Sequence, residues 1–193
     1  CASVVWMDVM KYLAATLFDA AGWTVRNEVP EDLETFVVIG APHTSNWDLV
    51  VTLAVAATVD IEFSWVGKRT LFQGPYGSLM RWLGGISVDR RKSQGAVQQL
   101  AETLRRADRM ALVIAPEGTR SRSDRWKSGF YHIAREADVP IVMGYVDYAR
   151  RDAGLGPTID PVGSKDQVEE QLQAFYGDKK GLYPDQFTRP ILS

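Results

Sequence analysis

Two short motifs bring together residue types that can transfer a proton and bind an anion. In the first, His43-Thr-Ser-Asn-Trp-Asp48, a histidine and an aspartate follow the apolar run Thr35–Ala41. If that run is a strand and Asp48 lies in the first turn of the next helix, the carboxylate can fold back onto the imidazole and stabilise its charged form. A histidine held in this way can act as a general base near neutral pH. The alternative is structural, because Ser45 and Asp48 also resemble a helix capping box.

The second motif, Pro116-Glu-Gly-Thr-Arg-Ser121, follows the apolar run Met110–Ala115. Gly118 allows a tight turn, and the backbone amides after it can point towards an anion. The planar guanidinium of Arg120 can form a bidentate pair with a phosphate. A surface turn with solvated Glu117 and Arg120 side chains is the alternative interpretation of this motif.

The charge of the chain is unevenly distributed. Residues 66–130 carry thirteen basic and five acidic side chains, whereas residues 1–65 carry two basic and nine acidic ones. A basic middle third in an otherwise acidic chain favours a local anionic partner and argues against general nucleic-acid binding. Some of these cations, such as Arg105, Arg106 and Arg109, are typical of a solvated helix face.

Apolar runs alternate with helical segments along most of the chain. The predicted strands are Thr35–Ala41, Ile61–Val66, Ile86–Val88, Met110–Ala115 and Ile141–Tyr148. The predicted helices are Ser45–Thr58, Tyr76–Leu83, Ser93–Ala107, Ser128–Ala137 and Lys165–Tyr176. This alternation predicts an α/β fold, a single domain with a mostly parallel central sheet flanked by helices. Ligands bind beyond the carboxyl ends of the strands of such sheets, where we expect His43, Lys68, Arg90 and Glu117.

The N-terminal segment, residues 1–30 of a single domain 1–193, is predicted to be largely helical. Its apolar stretch carries Asp8, Lys11 and Asp19, which argues against a membrane-spanning helix. An amphipathic helix remains, docked either on the core or on a membrane surface. Its apolar face would be formed by Val5, Trp6, Val9, Met10, Leu13, Leu17 and Phe18. The one cysteine, Cys1, permits no internal disulfide and is compatible with a reducing compartment such as the cytoplasm.

In their order along the chain, these motifs resemble those of the lysophosphatidate acyltransferase family of glycerolipid synthesis, the PlsC-type acyltransferases. The similarity spans roughly residues 36 to 146. The segments that carry it are His43 to Asp48, the stretch around Lys68, Gly84 to Arg90, Glu117 to Ser121, and Val139 to Val142. Ser87 and Met143 depart from the family pattern near its substrate sites, so the identity of the acceptor stays open.

The resemblance implies transfer of a fatty acyl group from acyl-CoA or acyl-carrier protein to the free hydroxyl of lysophosphatidate, giving phosphatidate. It implies that His43 is the general base and that Asp48 orients it. The implied substrate-binding residues are Lys68, Arg90, Glu117, Gly118, Thr119 and Arg120. No metal is needed, no cofactor is expected besides the thioester co-substrate, and no covalent acyl-enzyme is expected.

The same motifs are compatible with other functions. The acceptor can be another lysolipid or a glycolipid, and a thioesterase or lipase can use the same histidine–aspartate pair to activate water. A non-catalytic lipid-binding module is a third alternative, against which the complete motifs count. Because lysophospholipids reside in bilayers, we expect a cytoplasmic protein that is peripheral on the inner face of the membrane.

Overall fold

The centre of the fold is a mixed β-sheet. A computed structural model describes residues 12, 14–88, 93–160 and 163–193, and these contain a sheet of seven strands. The strands are β1 (Thr24–Asn27), β2 (Thr35–Ala41), β3 (Phe63–Lys68), β4 (Gly85–Val88), β5 (Met110–Ile114), β6 (Ile141–Asp147) and β7 (Asp152–Ile159). Their order across the sheet is β1-β7-β6-β2-β5-β3-β4.

Five of these strands run in one direction. The pairs β2–β6, β2–β5, β5–β3 and β3–β4 are parallel, so the carboxyl ends of all five strands lie at one edge of the sheet. β7 is antiparallel to β6, and β1 is parallel to β7. The predicted α/β fold with a mostly parallel sheet is confirmed.

Helices cover both faces of the sheet. They are α1 (Trp47–Val59), α2 (Gly77–Trp82), α3 (Ser93–Arg106), α4 (Gly129–Ala137) and α5 (Lys165–Tyr176), with 3-10 turns at Arg69–Phe72 and Pro184–Gln186. Each predicted helix after residue 30 is found. The first of them begins at Trp47, two residues later than predicted, and β3 begins two residues later than its predicted strand.

Two strands were not predicted. β1 is a four-residue edge strand with mostly exposed side chains, so it lacks an apolar pattern. β7 contains Gly154, Gly156 and Pro157, residue types that usually mark turns. The prediction that residues 1–30 form a helical segment is therefore wrong at its end, where Thr24–Asn27 pairs with β7.

The central strand β2 is buried on both faces. Val37 and Ile39 pack on the side of α3, α4 and α5, whereas Phe36 and Val38 pack on the side of α1. Alternation of side chains between the two faces of a strand produces this division. Burial on both faces explains why the sequence of β2 is continuously apolar.

Residues 14–20 of the N-terminal segment are helical and dock on the core. Ala14 and Phe18 are buried, Phe18 lies 5.9 Å from Trp23 between ring centroids, and Leu17 is exposed. Phe18 is therefore not available to a membrane. The remaining side chains predicted for an anchoring face lie outside the described residues: Val5, Trp6, Val9, Met10 and Leu13. No described helix is long and apolar enough to cross a membrane.

Candidate active site

The predicted histidine–aspartate pair forms where β2 leaves the sheet. The chain passes through a cis Ala41–Pro42 peptide bond, and Asp48 lies in the first turn of α1. His43 Nδ1 is 3.3 Å from Asp48 Oδ2. The Asp48 side chain is buried, whereas the His43 ring is about one quarter exposed. This contact agrees with the prediction, because both residues lie in one short connection.

Asp48 is held by three further hydrogen bonds. Its Oδ2 accepts from the backbone amides of Thr44 and Ser45, both at 2.8 Å, and its Oδ1 accepts from the Tyr148 hydroxyl at 2.9 Å. These three donors fix the position of the carboxylate. The alternative capping-box interpretation holds in half: Asp48 accepts from the Ser45 amide, but the Ser45 hydroxyl accepts from the Trp47 amide at 3.1 Å, and Asn46 is the N-cap of α1.

Tyr148 is a site residue that sequence reasoning missed. It directly follows β6, the neighbour of β2 in the sheet, and its ring packs edge-on against Trp23 with centroids 5.3 Å apart. Burial and the nearby Asp48 charge raise the pKa of its hydroxyl, so it remains a neutral donor. The sequence contains no signal for this contact, which depends on the order of the strands.

Glu117 supports His43 from the interior. It follows β5, and its Oε1 accepts a hydrogen bond from the His43 backbone amide at 2.7 Å. The residue is only 1% exposed, and Oε2 has no hydrogen-bond partner among the described residues. Burial raises the pKa of Glu117 to about 8, opposed by the His43 amide and reinforced by the charge of Asp48. A substrate contact for Glu117 stays a prediction, because the cavity beside His43 is lined by other residues.

The turn after Glu117 brings Arg120 to the start of α1. Gly118 has φ of +67°, a left-handed conformation that favours glycine, and it allows the chain to reverse here. Arg120 Nη1 donates to Asn46 Oδ1, which links the second motif to the first. Gln186 supports the same junction: with its side-chain amide turned so that both of its polar atoms are satisfied, the nitrogen donates to the carbonyl oxygens of Arg120 and Thr44 at 2.6 and 3.2 Å.

The C-terminal segment, residues 177–193, is bonded to loops of the site. Tyr183 N donates to Thr44 Oγ1 at 3.2 Å, and Tyr148 N donates to the Lys180 carbonyl oxygen at 2.9 Å. The indole of Trp126 donates to the Thr188 carbonyl oxygen at 2.8 Å. The C-terminal segment therefore braces the loops after β2, β5 and β6.

A cavity of about 540 Å³ opens beside the histidine. Its polar wall contains His43, Asp48, Lys68, Gly118, Thr119 and Arg120. Its apolar wall, between the sheet and helices α1 and α2, includes Leu49, Val55, Phe63, Trp65, Met80 and Val113. The structure therefore brings together the predicted catalytic pair and four of the six predicted substrate-binding residues. Arg90 lies outside the described residues.

The arrangement can activate a hydroxyl group next to an anion. Because Nδ1 of His43 faces Asp48, Nε2 is the ring nitrogen left to accept a proton. Lys68 and Arg120 supply positive charge in the same cavity wall. An apolar wall beside these polar groups suits a substrate that is part anion and part hydrocarbon.

Comparisons with known proteins agree with this chemistry. The protein-family model described as Acyltransferase matches residues 24–145. A 1-acyl-sn-glycerol-3-phosphate acyltransferase from Cocos nucifera is 31% identical over 164 residues, which cover 75% of this chain and 52% of that protein. One from Limnanthes douglasii is 33% identical over 98 residues, covering 48% of this chain and 34% of that protein. The chain thus spans about a third to a half of these curated relatives.

A solved structure shares the fold. The crystal structure of the 1-acyl-sn-glycerophosphate acyltransferase PlsC from Thermotoga maritima matches with a TM-score of 0.57, covering 88% of this chain and 76% of that one. The sequences are 18% identical over this match. This likeness supports the architecture described above.

Proposed function

The chain belongs to the acyltransferase family, as its motifs predicted, and on that premise we propose that it acylates lysophosphatidate. In the proposed reaction, a fatty acyl group moves from acyl-CoA or acyl-carrier protein to the free hydroxyl of the acceptor, and phosphatidate is formed. The relatives from Cocos nucifera and Limnanthes douglasii bear the name of this activity.

The observation that carries the proposal is the set of residues that line the cavity. A general base with an ordered carboxylate, two cations and an apolar surface line one space of about 540 Å³. This volume lies within the range of small-molecule sites, about 300–1,000 Å³. The apolar wall fits a fatty acyl chain, and the polar wall fits a phosphate beside a hydroxyl.

The proposed mechanism uses His43 twice. Its Nε2 takes the proton of the acceptor hydroxyl while that oxygen forms a bond to the thioester carbonyl carbon. Asp48 keeps Nδ1 protonated and stabilises the imidazolium that results. The tetrahedral intermediate then breaks its carbon–sulfur bond, and the departing thiolate takes the proton back from His43. The proton is returned, so the enzyme ends in its starting state.

Positioning of the acceptor is assigned to the cations. In this proposal Arg120 and Lys68 hold the phosphate, and Arg90 keeps its predicted role in the same task. The bond from Arg120 to Asn46 fixes the guanidinium close to the helix that carries Asp48. Holding the acceptor in this way brings its hydroxyl to the base and accounts for much of the expected rate enhancement.

A substrate panel tests the proposal. Purified protein is incubated with radiolabelled acyl-CoA and with lysophosphatidate, lysophosphatidylcholine or monoacylglycerol, and the lipid products are separated by chromatography. We expect labelled phosphatidate as the main product. Release of free fatty acid at the same rate with and without an acceptor would instead indicate a thioesterase, and label in another lipid would redirect the acceptor assignment.

We also propose that the protein works at the surface of a membrane, on its cytoplasmic inner face. The support is chemical, since the proposed acceptor and product carry fatty acyl chains and reside in bilayers. The basic middle third of the chain suits anionic headgroups.

A further inference from the structure

The connection between β3 and β4 exposes four large apolar side chains. Leu71, Tyr76, Leu79 and Trp82 are 48%, 70%, 46% and 80% exposed, and we call them the exposed apolar stripe. Tyr76, Leu79 and Trp82 are spaced three residues apart on and just before α2, so they share one face of that helix. Leu71 is on the 3-10 turn that packs against α2. A cluster of this kind on a surface marks an interaction site.

The stripe lies in a stretch of chain with only positive charge. From Phe63 to Val88 the sequence has Lys68, Arg69 and Arg81 and no aspartate or glutamate. All three cations are exposed, and none forms an ion pair within the described part of the chain. Arg81 donates to the Phe72 carbonyl oxygen at 3.2 Å, which ties α2 to the 3-10 turn.

The stripe also borders the cavity. Lys68, Thr70, Leu71 and Met80, all from the β3–β4 connection or the end of β3, belong to the cavity wall that contains His43. A partner surface that binds the exposed apolar stripe therefore lies next to the cavity that contains His43.

We infer that the β3–β4 connection docks on an anionic phospholipid surface, with the exposed apolar stripe in the boundary between headgroups and acyl chains. Tryptophan and tyrosine are enriched at that boundary, where the ring is buried and its polar atom stays hydrated. Arg69 and Arg81 then face the headgroups, while Lys68 stays in the cavity lining with the acceptor phosphate. The inference rests on the proposed function, because a lipid acceptor must pass from a bilayer to His43, and docking at this edge shortens that path.

A second copy of the chain is a less favourable occupant. A symmetric dimer places the same patch of each subunit against the other. In such a dimer the three cations of one subunit would face the same three cations of the other. The stretch from Phe63 to Val88 contains no carboxylate that could neutralise them. An anionic membrane complements both the charge and the apolar side chains.

Vesicle flotation with the purified protein tests the inference. The vesicles contain phosphatidylcholine alone or phosphatidylcholine with phosphatidylglycerol, at low and at high salt. We expect binding to the anionic vesicles that salt weakens. The double variant Leu79→Ser with Trp82→Ser should lower the partition coefficient at least tenfold, and Arg69→Gln should lower it about fivefold, which corresponds to ~1 kcal/mol per cation.

Two matched variants control for general effects. Ile191→Ser removes an exposed apolar side chain elsewhere, and Arg109→Gln removes an exposed cation at the amino end of β5, the opposite edge of the sheet. Both should float like the unmodified protein. Circular dichroism and thermal melting establish that every variant is folded, and Tyr76→Ser replaces the double variant if that one does not fold. Equal flotation of stripe variants and controls would overturn the inference.

Two further measurements distinguish failure of the docking inference from self-association of the chain and from failure of the proposed function. Analytical ultracentrifugation reports self-association, and a dimer that Trp82→Ser dissociates while flotation is unchanged would assign the stripe to a second copy. Acyl transfer to a short-chain, monomeric lysophosphatidate without vesicles tests the proposed function alone. We expect the double variant to keep this activity and to lose transfer to vesicle-embedded acceptor. Absence of acyl transfer by the unmodified protein would refute the proposed function. The flotation experiment would still show whether the exposed apolar stripe binds anionic vesicles.

Discussion

Replacing Glu117 by glutamine isolates the effect of one buried ionisable group next to His43, the proposed general base. The amide has the shape of the carboxyl group and keeps an oxygen that can accept from the His43 backbone amide, which the carboxyl does at 2.7 Å. It cannot ionise. In the native protein, burial raises the pKa of Glu117 from 4.5 to about 8, with the charge of Asp48 acting in the same direction. Glu117 is therefore neutral in the folded protein at pH 7.

The raised pKa sets the sign and size of a pH effect on stability. Between pH 4.5 and pH 8 the unfolded chain has lost the Glu117 proton and the folded protein keeps it. The folded state then binds one more proton at this residue, so the contribution of Glu117 to stability falls as the pH rises through this window and is constant outside it. At about 1.4 kcal/mol per pKa unit, the whole window is worth about 5 kcal/mol.

Unfolding measured against pH checks this value. Urea unfolding of the native protein and of Glu117→Gln is compared at fixed ionic strength from pH 5 to pH 8.5. We expect the stability of the variant relative to the native protein to increase by about 3–4 kcal/mol over this range, the part of the window that it covers. Glu62→Gln, at an exposed glutamate before β3, is the matched control and should not change the pH profile.

A difference between Glu117→Gln and the native protein that is the same at every pH would refute the reasoning, because it would mean that Glu117 does not titrate in this window. Activity gives a second check. Glu117→Gln should retain most acyl transfer at pH 7, whereas Glu117→Ala leaves the His43 amide without its acceptor and should lose much of it. Strong loss in both variants would favour the predicted contact of Glu117 with substrate.

Three further changes test other parts of the site. Tyr148→Phe removes a 2.9 Å hydrogen bond to Asp48, so we expect a loss of about 1.5–3 kcal/mol in unfolding free energy and a severalfold lower kcat; unchanged values would show that this bond does not hold the carboxylate. Arg120→Lys keeps the positive charge but loses the planar guanidinium group, which can form two parallel hydrogen bonds with a phosphate. This variant should raise KM for lysophosphatidate about tenfold more than KM for acyl-CoA or for monoacylglycerol. Gly118→Ala forces a side chain into a residue with φ of +67° and should cost about 1–2 kcal/mol in thermal or urea unfolding, whereas neutral behaviour would show that the turn relaxes.

Local patterns in the sequence were enough to predict the contact between His43 and Asp48. The apolar run of β2 is long and continuous because both faces are buried, and His43 and Asp48 belong to the single connection that follows it. Their contact requires only that a strand ends and a helix begins between Ala41 and Asp48. The clustering of Lys68 and Arg120 with this pair followed from the parallel arrangement of the strands.

Contacts between distant parts of the chain could not be predicted in this way. Tyr148 reaches Asp48 across 100 residues because β6 lies beside β2, and the order of strands is not encoded in any local pattern. The inward direction of Glu117 depends on how the turn after β5 closes against the loop of His43. β7 was missed because its pairing with β6 and β1 outweighs the turn-forming residues within it.

The most direct test of the central claim is the rate of acyl transfer to lysophosphatidate by His43→Ala and Asp48→Asn. Both variants are first shown to be folded by circular dichroism and unfolding. If His43 is the general base, His43→Ala should lower kcat by about 10²–10⁴-fold, and Asp48→Asn should lower it strongly because the imidazolium loses its stabilising charge. Folded His43→Ala protein that produces phosphatidate within tenfold of the native rate would contradict the account.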